Sequence, residues 1–290
     1  MGVTISVVIP VRLAQATIAS TLEAAIGQAR EVDGQVIAAI WRGDPSYRVV
    51  ESIAAKEPGV LKLVTSDAPC GVPQLRHDAV RAARAPWVVI TEDHCLFPSG
   101  WLAGMLKGTG DVRGGAVANG RDSYAGWAQY FARYAAFMPP VKDGPAPHLS
   151  GNNACYARHL LDSVLTEGGF WEADLNRKLA ERGVRFFMYS GLTIKQRQQR
   201  GWFEFASLRF RHGRCYGGQR GGSKPLALLR APLIPAVLIW RILRAELHQR
   251  YAVGWFVVTL PLQVLYILAW SLGEGIGYLL GPGQSCRSTD

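Results

Sequence analysis

Trp87-Val-Val-Ile-Thr-Glu-Asp-His-Cys-Leu-Phe97 is the stretch on which the reading of this chain turns. Its apolar run, Trp87 to Ile90, predicts a buried strand. The strand runs into three consecutive potential metal ligands, Glu92, Asp93 and His94. Open α/β sheets bind their ligands outside the carboxyl ends of the strands. Two carboxylates and an imidazole can hold a divalent cation such as Mn²⁺ or Mg²⁺, and that cation can hold a diphosphate. Acids at a strand end can equally be solvated and idle, so the surrounding sequence decides.

Outward from this stretch, strands and helices alternate. Ile5 to Pro10 predicts an apolar strand, and Thr17 to Gln28 a helix with Ile18, Leu22 and Ile26 on one face. Gln35 to Trp41 predicts a second strand ending at Arg42-Gly43-Asp44. Residues 46 to 56 predict a helix, Leu61 to Thr65 a strand, and Val72 to Arg84 a helix leading into the strand at Trp87. The alternation predicts an α/β fold with a mostly parallel sheet and helices on both faces. No GxGxxG turn follows the first strand, which disfavours a dinucleotide fold. Further on, a helix from Pro98, a strand over Gly114 to Asn119 and an aromatic helix over Tyr124 to Phe137 are expected. A loop at Pro139 to Pro147, a helix from about Glu172 to Arg182 and a last strand over Val184 to Tyr189 follow.

The charge is uneven. The chain carries a net +10, and Lys195 to Arg250 accounts for all of it, with twelve Lys/Arg against two Glu. From Tyr251 to Gly273 there are 23 residues without a charge, enough to span a bilayer. Trp255, Tyr266 and Trp270 suit interfacial anchoring, and the shorter apolar piece Ala231 to Trp240 suits an interfacial or paired helix. A basic block beside an apolar segment points to a membrane rather than to nucleic acid. Arg241, Arg244 and Arg250 just before that segment place the preceding domain on the cytoplasmic face. The five cysteines are scattered with no CxxC, as in a reduced cytoplasmic domain. The expected division is a catalytic domain over 1–215 and a basic, hydrophobic membrane-associated segment over 216–290.

The motifs resemble those of a GT-A-fold, family 2 glycosyltransferase over roughly residues 4 to 190. Ile5-Ser-Val-Val-Ile-Pro10 resembles that family's opening strand. Gly71 and Arg76 stand where the family carries a glycine and a basic residue before its metal motif. Glu92-Asp93-His94 takes the place of Asp-x-Asp. Glu92-Asp-His-Cys95, followed by Gly100-Trp-Leu102, is also similar to the metal motif of polypeptide GalNAc-transferases, where the His is a ligand. The resemblance implies a metal held by Asp93, His94 and Glu92, and a nucleotide-sugar donor bound by Pro10, Asp44, Arg76, Glu92 and Asp93. It implies an acceptor side lined by Gly151, Asn152, Asn153 and Trp171, and a base at Glu172, with Asp174 as the second candidate. Inversion at the sugar carbon is implied in the same way. Arg211 and Arg214 are candidate phosphate binders, and the basic block and apolar tail lead to the expectation of a lipid or surface-glycan acceptor near the membrane.

This chain departs from the family in two places. Val11-Arg12-Leu13 replaces Tyr-Asn-Glu after the first strand, and Arg42-Gly43-Asp44 replaces Asp-Asp-Gly-Ser. Two rivals are a nucleotidyltransferase, which would need a glycine-rich basic loop after the first strand, and a non-catalytic membrane-bound module that binds sugar nucleotides.

Overall fold

A computed structural model describes residues 2–165, 168–198, 200–219 and 231–286. The chain divides into two compact units, one of residues 1–118 and 139–197, the other of 119–138 with the chain from 198 onward.

The first unit is the α/β layer. It begins with β1 (Ile5–Val11), α1 (Ile18–Glu31), β2 (Gln35–Trp41), α2 (Tyr47–Lys56), β3 (Leu61–Ser66), α3 (Val72–Ala82) and β4 (Trp87–Thr91). These are the expected elements in the expected order. Every residue of β1 is buried, which is why it reads as an unbroken apolar run rather than an alternating one. The unit continues with β5 (Cys95–Leu96), α4 (Trp101–Lys107), β6 (Val112–Gly114) and β7 (Val117–Asn119). After the excursion into the second unit come β8 (Gly144–Ala146), β9 (Asn153–Ala157), α6 (Arg158–Val164), α7 (Glu172–Glu181), β10 (Phe186–Met188) and β11 (Ile194–Gln196).

The main sheet has eight strands in the order β3-β2-β1-β4-β9-β6-β10-β8. β3, β2, β1 and β4 are parallel neighbours, while β9 runs antiparallel between β4 and β6, and β8 antiparallel to β10. Pro10 lies beyond Val8↔Ile90, the last β1–β4 pair, so its missing N–H breaks no bond on that side. The core under the sheet joins Val8, Ile37, Val88 and Ile90 to Leu75 and Val80 of α3 and to Leu175 and Leu179 of α7.

Several local features differ from the expectations. Asn153–Ala157, for which no element was expected, form β9, a fully buried strand at the centre of the sheet. The predicted loop 139–147 contains edge strand β8. The predicted strand 114–119 is two strands, β6 and β7, in different sheets. The sequence reading missed both α6 and β11.

The second unit contains α5 (Tyr124–Tyr134), α8 (Trp202–Gln219), α9 (Ile234–Gln249) and α10 (Val253–Leu280). α8 continues unbroken through position 215. α10 is long and apolar enough to cross a membrane by length and composition. Cys215 and Cys286 form a disulfide across 71 residues, so the expectation of reduced cysteines fails for this pair. Cys70, Cys95 and Cys155 are free. Arg220, Lys224 and Arg230 of the basic block Lys195–Arg250 lie outside the described residues.

Candidate functional site

β4 delivers Glu92, Asp93 and His94 to the sheet's C-terminal edge, and all three are buried there, at 9%, 8% and 5% exposure. His94 Nδ1 lies 2.9 Å from Asp93 Oδ1. Its Nε2 lies 3.1 Å from Glu92 Oε2, within ion-pair reach yet off the line of a hydrogen bond, leaving that buried nitrogen without an aligned partner. Burial works against the imidazolium, but the adjoining Asp93 and Glu92 carboxylates outweigh it and raise the His94 pKa. Asn152 Nδ2 donates to Glu92 Oε2 at 3.2 Å.

The backbone around this triad is fixed by groups that no motif advertised. Thr21 Oγ1, on α1, donates to the carbonyls of Asp93 and Cys95. The Arg197 amide donates to the His94 carbonyl at 2.9 Å, and its guanidinium reaches Ser20 Oγ at 2.9 Å.

The same acids shape the loop after β1. Asp93 Oδ2 accepts from the Arg12 amide at 2.8 Å, and Asp44 Oδ2 from the Leu13 amide at 2.9 Å. Ser46 Oγ accepts from the Ala14 amide at 2.8 Å. Leu13 takes φ 52°, a conformation that costs a branched residue and is sustained by these contacts. Asp44 Oδ1 also accepts from the Ser46 amide, so both of its oxygens are engaged in holding the loop.

Glu172 is the first residue of α7, followed by Asp174 in the same turn. Glu172 Oε1 pairs with Arg76 Nη2 at 2.5 Å, with the Arg76 side chain 1% exposed and Glu172 14%. Arg76 Nη1 donates to the Phe170 carbonyl at 3.0 Å. Gly151 lies directly under Glu172, and a Cβ there would stand 2.0 Å from the Glu172 Cβ. Asp174 instead faces solvent and pairs along its own helix with Arg177 and Lys178. Burial raises its pKa, but hydrogen bonds from Arg177 and Lys178 lower it further than burial raises it.

Two expected roles do not match these surroundings. Asn153 is 0% exposed, and its amide is spent on Trp101 Nε1 and on the Ala116 and Leu192 carbonyls, so it braces β9 rather than lining an acceptor side. Arg76 is turned inward onto Glu172 rather than outward to a phosphate. Trp171 caps the start of α7, half-buried, its carbonyl accepting from Asp174 and Leu175. Arg211 and Arg214 lie on α8 in the second unit, where Arg214 Nε donates to the Gly281 carbonyl at 3.3 Å.

Two carboxylates and an imidazole nitrogen lacking an aligned donor are ligand types that Mn²⁺ takes, so the residues fit a divalent cation by chemistry. As arranged, no three His, Cys, Asp or Glu among the described residues are placed to share one ion. The His94 ring sits between the two acids.

The family model for glycosyl transferase family 2 matches residues 6–165. No curated protein matches the chain in sequence. Among solved structures, the chain is similar to the mannosyltransferase PcManGT from Pyrobaculum calidifontis in complex with GDP-Man and Mn²⁺. The TM-score is 0.62 at 18% identity, covering 95% of this chain and 87% of that one. It is also similar to S. aureus TarS residues 1–349 in complex with UDP-GlcNAc, with a TM-score of 0.51 at 12% identity, covering 94% and 91%.

Proposed function

Because the chain belongs to glycosyl transferase family 2, we propose that it moves one sugar from a nucleotide-sugar donor to a membrane-proximal acceptor, a lipid or surface glycan, with inversion. The observation that carries this reading is the gathering of Asp93, His94 and Glu92 at the end of β4, tied by Asp93 to the loop after β1. That is where an open α/β sheet receives a nucleotide. The donor in this reading is linked to uridine or guanosine diphosphate. The GDP-Man and UDP-GlcNAc of the similar structures support it.

Asp93 and His94, with Glu92 beside them, would hold a divalent cation. When bound, such a cation neutralises charge on a departing diphosphate. The loop 11–14, pinned by Asp93, Asp44 and Ser46, frames the donor. Glu172 takes the acceptor proton as the acceptor oxygen attacks the sugar carbon, a role that needs one positioned carboxylate. Arg76 orients it, and Gly151 leaves the room. Catalysis belongs to the sheet unit within 1–215, and membrane attachment to the helices within 216–290. Arg211 and Arg214 of α8 are the arginines assigned to phosphate in this reading.

The test is Glu172→Gln, assayed for transfer and, by calorimetry, for donor binding. Lost transfer with donor binding retained supports the reading. Retained transfer overturns the assignment of the base.

A further inference from the structure

Among the described residues, the helices of the second unit leave an apolar face exposed. On α10, Val257, Leu265, Leu268 and Leu272 are 38–61% exposed. They form a stripe at helical spacing with no charged residue in it. On α9, Val237, Trp240 and Leu247 are 45–60% exposed, beside exposed Arg241, Arg244 and Arg250. A helix with apolar and aromatic residues outward and arginines alongside suits the boundary between headgroups and acyl chains.

The opposite side of α10 is committed to protein. Thr259, Gln263, Ser271 and Glu274 are buried there. α8 and α10 lie backbone against backbone through four glycines. A Cβ on Gly213 would stand 2.1 Å from the Trp270 carbonyl oxygen, and one on Gly217 2.3 Å from that of Glu274. A Cβ on Gly273 would stand 2.0 Å from the Phe210 oxygen, and one on Gly277 2.4 Å from that of Arg214. α10 therefore cannot enter a bilayer without α8, and α8 brings charge with it. Arg209 lies over the Trp270 ring at 4.3 Å, and Arg214 bonds the Gly281 carbonyl. Burial, then the neighbouring Arg133, push the Arg209 pKa down to about 9, so its charge is already costly where it stands. Carrying these arginines through hydrocarbon adds to that cost.

We propose that the second unit seats side-on in an anionic lipid surface, with the exposed faces of α9 and α10 in the interface and α10 not crossing the bilayer. The occupant is lipid because the stripe is uniformly apolar along α10. It is anionic because, among the described residues, the exposed Arg241, Arg244 and Arg250 flank the exposed apolar residues of α9, whose one acid, Glu246, is buried. The inference deepens the membrane-proximal reading above and rests on it.

Two measurements test it on the full-length chain. The first is flotation with vesicles of phosphatidylcholine, alone or mixed with phosphatidylglycerol. The expected result is flotation that needs phosphatidylglycerol, is lost in Leu265→Asp/Leu268→Asp with an unchanged circular dichroism spectrum, and is weakened in Arg241→Glu/Arg244→Glu. Equal flotation on both lipids overturns the anionic preference. No flotation on either overturns the membrane reading itself, and self-association through this face without flotation makes a second copy the occupant.

The second measurement uses sealed inverted membrane vesicles from expressing cells, with an epitope tag at each end and Arg250→Cys between α9 and α10. The expected result is that external protease removes both tags and that an impermeant maleimide modifies the peptide carrying position 250. A C-terminal tag protected until detergent is added shows a spanning α10. A protected position 250 shows a crossing hairpin. Either one overturns the in-plane placement while leaving membrane attachment intact.

Discussion

Glu172 and Asp174 are two residues apart on α7 and meet opposite surroundings. Glu172 is held over Gly151 by a buried arginine, whereas Asp174 makes surface pairs with its own helix. Glu172→Gln should therefore cost about 10²- to 10⁴-fold in turnover, the range for removing a general base, while Asp174→Asn should change turnover by less than about 3-fold, in line with a surface ion pair. Steady-state transfer rates of the two variants decide it. Arg76→Met should destabilise the sheet unit by about 3–5 kcal/mol, because it removes the buried cation that pairs with the Glu172 carboxylate. Denaturant unfolding measures this. Gly151→Ala should fold but transfer slowly, since its new Cβ displaces Glu172; kcat should fall more than donor affinity.

The elements show which parts of the fold the sequence could disclose. β1, β2, β3 and β4 were legible because parallel strands buried on both faces are written as continuous apolar runs, and the helices between them repeat their apolar positions every three or four residues. β9 was not legible. Its lead-in, Ser150-Gly-Asn-Asn153, is made of turn-forming residues, and only the fold reveals that Asn153 trades its amide for three internal partners. At the site, Glu92, Asp93, His94 and Glu172 were legible as chemistry-bearing residues. The inward turn of Arg76 and the bracing by Thr21 and Arg197 depend on contacts made across the folded chain, which carry no local pattern. The Cys215–Cys286 disulfide was equally hidden, because pairing cannot be deduced from scattered cysteines. It closes a long loop, so reduction should lower the stability of the helical unit by up to about 4 kcal/mol on chain-entropy grounds. Thermal melts with and without dithiothreitol would show the transition falling, and an unchanged melt would mean the bond contributes nothing.

At the scale of the whole molecule, an α/β unit whose β4 ends in Glu92, Asp93 and His94 and a helical unit with an exposed apolar face occur in one family 2 glycosyltransferase chain. The central claim is that Asp93 and its neighbours hold the cation that binds the donor diphosphate. The most direct measurement is nucleoside diphosphate release from a panel of nucleotide sugars by the detergent-purified chain with and without Mn²⁺, alongside Asp93→Ala. Mn²⁺ binding to both proteins is followed in parallel by electron paramagnetic resonance. The account predicts Mn²⁺-dependent release from a uridine or guanosine diphosphate sugar, with both release and Mn²⁺ binding lost in Asp93→Ala. Release and Mn²⁺ binding that survive Asp93→Ala unchanged would contradict it.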